Sequence, residues 1–93
     1  MKIKKKFADD LNTAVITTKY ILERQSPILF VSHFDDGYWQ FSGPENNLPD
    51  EDYRVVSLDE IIKMDSSVLD IADLPYEKDA YRENTDSSWK IVL

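Results

Sequence analysis

The stretch ILFVSHFDDGYWQFSG, residues 28–43, decides the fold, because two runs of alternating apolar and polar residues flank a turn sequence. This arrangement predicts two antiparallel strands joined in a hairpin. Asp36 and Gly37 suit a two-residue type I′ loop, which needs positive φ at both of its central positions. The hairpin register then follows from the turn, since each step away from the loop pairs the next residue of both strands.

This register sorts the hairpin side chains onto two faces. The apolar face carries Ile28, Phe30, Phe34, Trp39 and Phe41. The other face carries Leu29 and Val31 at its base, followed by the only histidine of the chain, His33, and by Asp35, Tyr38, Gln40 and Ser42. Cross-strand aromatic pairs are a common source of core area, so we expect the aromatic side chains to face inward. We expect His33 to lie opposite Gln40 among polar neighbours on the surface of the sheet.

Further strands are predicted on both sides of the hairpin. The β-branched run TAVITT, residues 13–18, is typical of a buried strand, and YRVVS, residues 53–57, predicts another. The alternation in KIKKKFA, residues 2–8, predicts a terminal strand. Near the end of the sequence, AYREN and WKIVL flank the turn residues TDSS and predict a closing hairpin. We expect its final strand to pair within the sheet, because an exposed apolar edge promotes aggregation.

Helix signals occupy the segments between these strands. Thr17 or Thr18 is suited to cap a short helix in KYILERQS. Ser57 and Glu60 have the spacing of a capping box, which predicts a second helix. A third begins at Ser66 or Ser67 and ends before Pro75. The sequence therefore predicts one α+β domain over residues 1–93: an antiparallel sheet of about five strands, covered by two or three short helices.

Composition and charge exclude several classes of function. The chain has no cysteine, so it forms neither disulfides nor thiolate metal sites. Four of its eleven Lys and Arg residues stand in the first six positions, and residues 7–93 carry 18 acidic and 7 basic side chains. A field of that sign repels phosphate backbones and argues against nucleic-acid binding. The sequence contains no apolar run of membrane-spanning length, and we expect a soluble cytoplasmic protein.

Catalytic and metal-binding motifs are weak. A nucleophilic triad would depend on His33, and no Gly-x-Ser-x-Gly elbow presents a serine to it. Paired histidines and the HExxH motif are absent, and two glycines in all exclude a phosphate-cradling loop. We therefore expect no enzyme activity, no metal ion and no cofactor.

Part of the chain resembles a known family. The similarity lies in the run from Ala14 to Trp89: the threonine-rich ITTKYILERQSPILFV, the W-x-F-S-G-P-E stretch at residues 39–45, and the segment from Leu58 to Pro75 followed by Tyr81-Arg82. These pieces resemble a family of small bacterial proteins long catalogued as a domain of unknown function, some of which are assigned as immunity proteins of polymorphic toxin systems. The resemblance implies a binding role without chemistry of its own.

The main functional hypothesis is a non-catalytic, acidic protein-binding module, for which the resemblance suggests a toxin as the basic partner. The candidate contacts are Asp50, Glu51, Asp52, Asp59, Asp70 and Asp73. Carboxylates of this kind steer a basic protein toward its docking site, although they equally serve to keep a small domain soluble. Two alternatives stay open: a small-molecule- or metal-binding enzyme that uses the surface of His33, Asp35 and Tyr38, and a regulatory accessory domain. The sequence does not determine the oligomeric state.

Overall fold

The computed structural model describes residues 5–92 as a six-stranded mixed sheet with short helices. The elements in chain order are β1 (Ala14–Thr18), α1 (Lys19–Leu22), β2 (Phe30–His33), β3 (Trp39–Ser42), a 3-10 helix (Asp50–Asp52), β4 (Tyr53–Ser57), α2 (Leu58–Met64), a second 3-10 helix (Ser66–Ile71), β5 (Lys78–Tyr81) and β6 (Lys90–Val92). The α+β class is confirmed. The sheet, with strand order β4-β1-β3-β2-β5-β6, has six strands where about five were expected.

The expectation of a purely antiparallel sheet is wrong, because β1 pairs with β3 in parallel. After β1 the chain passes through α1 to β2, which is not a neighbour of β1 in the sheet. The hairpin then places β3 between β1 and β2, antiparallel to β2 and parallel to β1. The Thr17 hydroxyl donates a hydrogen bond of 2.8 Å to the Phe41 carbonyl and ties the two parallel strands together. A contact between residues this far apart in sequence leaves no local signal.

The hairpin also adopts a different register from the predicted one. The Phe34 amide donates to the Tyr38 carbonyl at 2.9 Å, so the loop has three residues, 35–37. Gly37 has φ of 91°, whereas Asp36 is not among the described residues with positive φ. A three-residue loop that ends in a left-handed glycine requires positive φ at one position, whereas a type I′ turn requires it at two. The Asp36 carboxylate accepts from the Tyr38 amide at 3.1 Å and stabilises this turn.

The change of register moves side chains to opposite faces of the sheet. His33 now pairs with Trp39, and Val31 pairs with Phe41. Because residues directly opposite each other share a face, the imidazole joins the indole in the core and is 8% exposed. Phe30 and Phe34, expected in the core, are 44% and 38% exposed.

The core lies on one side of the sheet, between the strands and the helices. Its strand residues are Val15, Val31, Trp39, Phe41 and Ala80. Its helical and loop residues are Ile21, Ile28, Leu58, Ile61, Val68, Ile71 and Leu74. The spacing of the apolar helical residues by three positions explains this arrangement, since such residues share one face of a helix. The opposite face of the sheet is not packed against this core.

Local signals predicted the helix starts well. Thr18 caps α1 by accepting from the Ile21 amide, and Ser57 caps α2 by accepting from the Glu60 amide. The third predicted helix is a 3-10 helix, and Asp65 caps it in place of Ser66 or Ser67. Residues 5–7 of the expected terminal strand have no regular structure, and residues 2–4 lie outside the described range.

The closing hairpin is confirmed, since β5 and β6 pair antiparallel. The last strand is nevertheless an edge of the sheet, contrary to expectation, and Ile91 and Val92 are each about half exposed. Where β5 ends, the buried side chain of Arg82 holds the closing hairpin to the rest of the domain. Its guanidinium donates to the Ile28 carbonyl, to the Ser67 hydroxyl and to the Asp65 carboxylate, the last at 2.6 Å.

The ion pair between Arg82 and Asp65 should dominate the electrostatic contribution to stability. We expect Asp65→Asn to lower the free energy of unfolding by roughly 2 kcal/mol, because it leaves the guanidinium buried without a counter-charge. Urea denaturation measures the loss. The matched control is Asp59→Asn, which breaks the exposed pair with Lys63 and should cost less than about 0.5 kcal/mol. Equal losses in the two variants would contradict this ranking.

The same pair predicts a pH dependence of stability. Partial burial alone would raise the pKa of Asp65, but hydrogen bonds from Ser67 and Arg82 together outweigh it and hold the pKa below its ordinary value. A lowered pKa in the folded state contributes stability above the unfolded pKa of about 3.9, and this contribution is lost as the pH falls through the folded value. The stability difference between wild type and Asp65→Asn should therefore narrow below about pH 4. A constant difference down to pH 2 would argue against the ion pair.

Candidate functional site

The side of the sheet that faces away from the core forms a continuous surface, which we call the open face. One row of directly paired residues crosses all six strands: Val55, Ile16, Gln40, Ser32, Asp79 and Val92. The next row contains Ser42, Phe30, Tyr81 and Lys90. Phe34 and Tyr38 extend the open face at the hairpin end, and Tyr53 extends it on β4.

Large apolar side chains are concentrated on the open face. Of the eight large hydrophobic residues that are most exposed in residues 5–92, five belong to it: Val55, Tyr38, Val92, Phe30 and Phe34. Asp79 and Lys90 are the only charged residues in the two rows, although 31% of the chain is charged. An apolar, aromatic surface with little charge at its centre is typical of a protein-binding interface.

Acidic side chains stand at the margins of the open face. Asp50 lines a shallow depression of about 340 Å³ together with Ile16, Gln40 and Tyr53. At the hairpin end, Asp35 and Asp36 are exposed. The open face therefore combines exposed apolar side chains with the polar residues Gln40 and Ser32 on its central strands, and carboxylates stand beside it.

The six predicted contact residues do not form one patch. Asp50 and Glu51 are exposed beside the open face, whereas Asp52 is buried, which removes it as a surface contact. Its carboxylate pairs with Lys19 at 3.2 Å and accepts a hydrogen bond from the Tyr20 hydroxyl. The hydrogen bond to Asp52 raises the pKa of Lys19 and keeps it charged.

The other three predicted contacts belong to the helical layer. Asp59 pairs with Lys63 at 2.9 Å, and this hydrogen bond raises the pKa of the lysine. Asp73 pairs with Lys5 at 3.1 Å, and the backbone carbonyl of Asp70 accepts from the same ammonium group. Intramolecular cations thus already compensate three of the six carboxylates, and Asp50 and Glu51 are exposed.

The alternative site of His33, Asp35 and Tyr38 is not assembled. His33 faces the helical layer, where its ring stacks on Trp39 with centroids 3.7 Å apart. Its Nδ1 lies 2.7 Å from the Leu74 carbonyl, and because a carbonyl only accepts, Nδ1 carries the proton. Tyr38 points to the open face, and Asp35 lies in the exposed loop. The predicted polar surface is therefore split between the two sides of the sheet.

Comparison with known proteins gives no relative: no family model matches the chain, no curated protein matches it, and no solved structure matches it. Among residues 5–92, no helix is long and apolar enough to cross a membrane.

Sequence reasoning missed the open face because it assigned Phe30 and Phe34 to the core. A signal was present in the chain: Asp35, Asp36 and Gly37 also fit a three-residue loop that ends in glycine. That loop places Phe30 on the outer side of β2 and His33 on the inner side. Val55 carried no comparable signal, since it adjoins Val56 and either valine could have faced the core.

The burial of His33 predicts a structural effect of its removal. We expect His33→Ala to lower the free energy of unfolding by about 2 kcal/mol or more, because it empties a packed position and leaves the Leu74 carbonyl without its donor. The control is Tyr38→Phe on the same hairpin, which removes an exposed hydroxyl and should change stability by less than about 0.5 kcal/mol. Urea denaturation distinguishes the two. If His33→Ala left the free energy of unfolding unchanged, the imidazole would have to lie on the surface.

Proposed function

We propose that this protein is a non-catalytic binding module whose open face docks a basic partner protein. The observation that carries the proposal is the exposure of Phe30, Phe34, Tyr38, Val55 and Val92 on the side of the sheet that residues 5–92 leave uncovered. Burying apolar side chains of this size contributes most of the affinity in protein interfaces.

Charge favours a basic partner over a second copy of the chain. The protein has a formal net charge of −7, so two copies repel each other, whereas a basic protein is attracted. Asp35, Asp36, Asp50 and Glu51 are exposed around the apolar area. In such an interface the carboxylates accelerate the encounter, and the buried aromatic side chains hold the complex together.

The finer proposal is that the partner is a toxin and that the protein is its immunity protein. The suggestion comes from the sequence pattern of residues 14–89, and the acidic surface suits the masking of a basic protein. The protein encoded by the reading frame immediately upstream is the first partner to test.

Matched arginine substitutions test the docking surface. Phe30→Arg and Val55→Arg place a charge in the apolar area and should each weaken binding of the purified neighbouring protein by at least about 100-fold, the effect of losing roughly 3 kcal/mol. Ser66→Arg, at an exposed position of the helical layer, adds the same charge and should leave the Kd within about threefold. Isothermal titration calorimetry measures all four proteins. Loss of affinity in Ser66→Arg alone would place the interface on the other side.

The salt dependence of association tests the electrostatic part separately. We expect the association rate constant to fall at least about tenfold between 20 mM and 500 mM NaCl, because salt screens the attraction between exposed charges. Stopped-flow or surface plasmon resonance gives the rate. An association rate constant that does not change with salt would show that charge does not steer the encounter. Self-association of the protein through the open face, measured by light scattering, would show that the face binds a second copy of the chain.

A further inference from the structure

A second concave site lies on the opposite side of the sheet, where the loop after the second 3-10 helix approaches the N-terminal segment. It is a cleft of about 380 Å³, and its walls include Trp39, His33, Tyr76 and Leu74. Three aromatic rings meet there: His33 stacks on Trp39, and Tyr76 approaches His33 edge to face with centroids 4.7 Å apart. Trp39 and His33 are stacked on each other and buried, so the exposed Tyr76 supplies the accessible ring of the cleft.

His33 lines this cleft and has one ring nitrogen without a partner among the described residues 5–92. The side chain is more than nine-tenths buried, and Nδ1 is engaged by the Leu74 carbonyl. Nε2 has no hydrogen-bond partner within residues 5–92. In the neutral ring with the proton on Nδ1, Nε2 is an acceptor and requires an N–H or O–H donor.

The charged residues that line the cleft, among those the structure describes, are acidic: Asp9 and Asp73. Asp73 is compensated by Lys5, but Asp9 has no cationic partner in the part of the chain that the structure describes. The Trp39 indole donates to one oxygen of Asp9 at 3.2 Å and fixes the carboxylate beside the aromatic wall. An anionic ligand would be repelled here, and a cation would gain both a counter-charge and a ring face.

We propose that this cleft binds a planar organic cation of the guanidinium or amidinium class. The cation would stack on an aromatic ring, donate one N–H to His33 Nε2 and pair with the Asp9 carboxylate. Planar, delocalised cations combine these contacts better than an ammonium group, which is a compact and strongly hydrated charge. The site is separate from the open face and does not depend on the proposed docking function.

Benzamidine and agmatine are suitable probes, and the two tryptophans provide an internal reference. In ¹H–¹⁵N spectra of the full chain, the Trp39 indole N–H should shift saturably with either probe, with a Kd of about 1 mM or tighter. The Trp89 indole donates to the Ser67 carbonyl outside the cleft, so its signal should not move. Benzamide, the neutral analogue of benzamidine, should bind at least about tenfold more weakly, because it lacks the charge.

Two variants test the residues that make the site. Asp9→Asn removes the counter-charge and Tyr76→Ala removes an exposed wall, and each should weaken benzamidine binding at least about fivefold without unfolding the protein. Tyr38→Ala on the open face is the control and should bind as wild type does. The proposal is overturned if the Trp39 signal does not saturate, if benzamide binds equally well, or if Asp9→Asn binds like wild type.

The source of the cation is distinguished by comparing agmatine with an acetylated Gly-Arg-Gly amide. Binding of agmatine alone indicates a free small molecule, because the cleft then excludes a peptide backbone. Equal binding of the peptide indicates an arginine side chain of another protein. Either result requires the same shift of the Trp39 indole, and a shift spread over the whole spectrum would count against a defined site.

Discussion

The three-residue turn at residues 35–37 is the constraint on which the rest of the structure depends. It pairs His33 with Trp39. Because successive side chains of a strand point to opposite faces of the sheet, this one pair fixes the face of all the remaining side chains of β2 and β3. A loop shorter by one residue would instead expose the His33 imidazole to solvent and bury Phe34. The positive φ of Gly37 is what the turn requires, and the Asp36 carboxylate reinforces it. Both proposed binding surfaces follow from this choice, since it exposes Phe30 on one side and directs His33 into the cleft on the other.

Features encoded by neighbouring residues were predictable from the sequence. Ser57 and Glu60 stand three positions apart, and the cap at the start of α2 forms as that spacing requires. The β-branched residues of β1 and β4 also formed the strands they predict. The hairpin register was not fixed by local signals, because Asp35-Asp36-Gly37 is compatible with loops of two or three residues. The parallel pairing of β1 with β3 was less accessible still, since it depends on contacts such as that between Thr17 and Phe41.

The sequence predicted an acidic contact surface, whereas the site in the structure is an apolar face with carboxylates beside it. An acidic, non-catalytic surface was expected from the excess of carboxylates, but the sequence does not show which of them have intramolecular partners. Lys19 pairs with Asp52 and Lys5 with Asp73, across 33 and 68 positions of the chain. Asp50 and Glu51 remain exposed beside the aromatic side chains of the sheet. The apolar open face itself was missed, because Phe30 and Phe34 were assigned to the core by a register one residue away from the observed one.

The cross-strand register is tested most directly by nuclear Overhauser effects in the hairpin of the isolated protein. The account predicts contacts between the ring protons of His33 and Trp39, together with an amide proton of Phe34 protected from exchange by its bond to the Tyr38 carbonyl. Contacts that pair His33 with Gln40, with a freely exchanging Phe34 amide and an exposed imidazole, would contradict it.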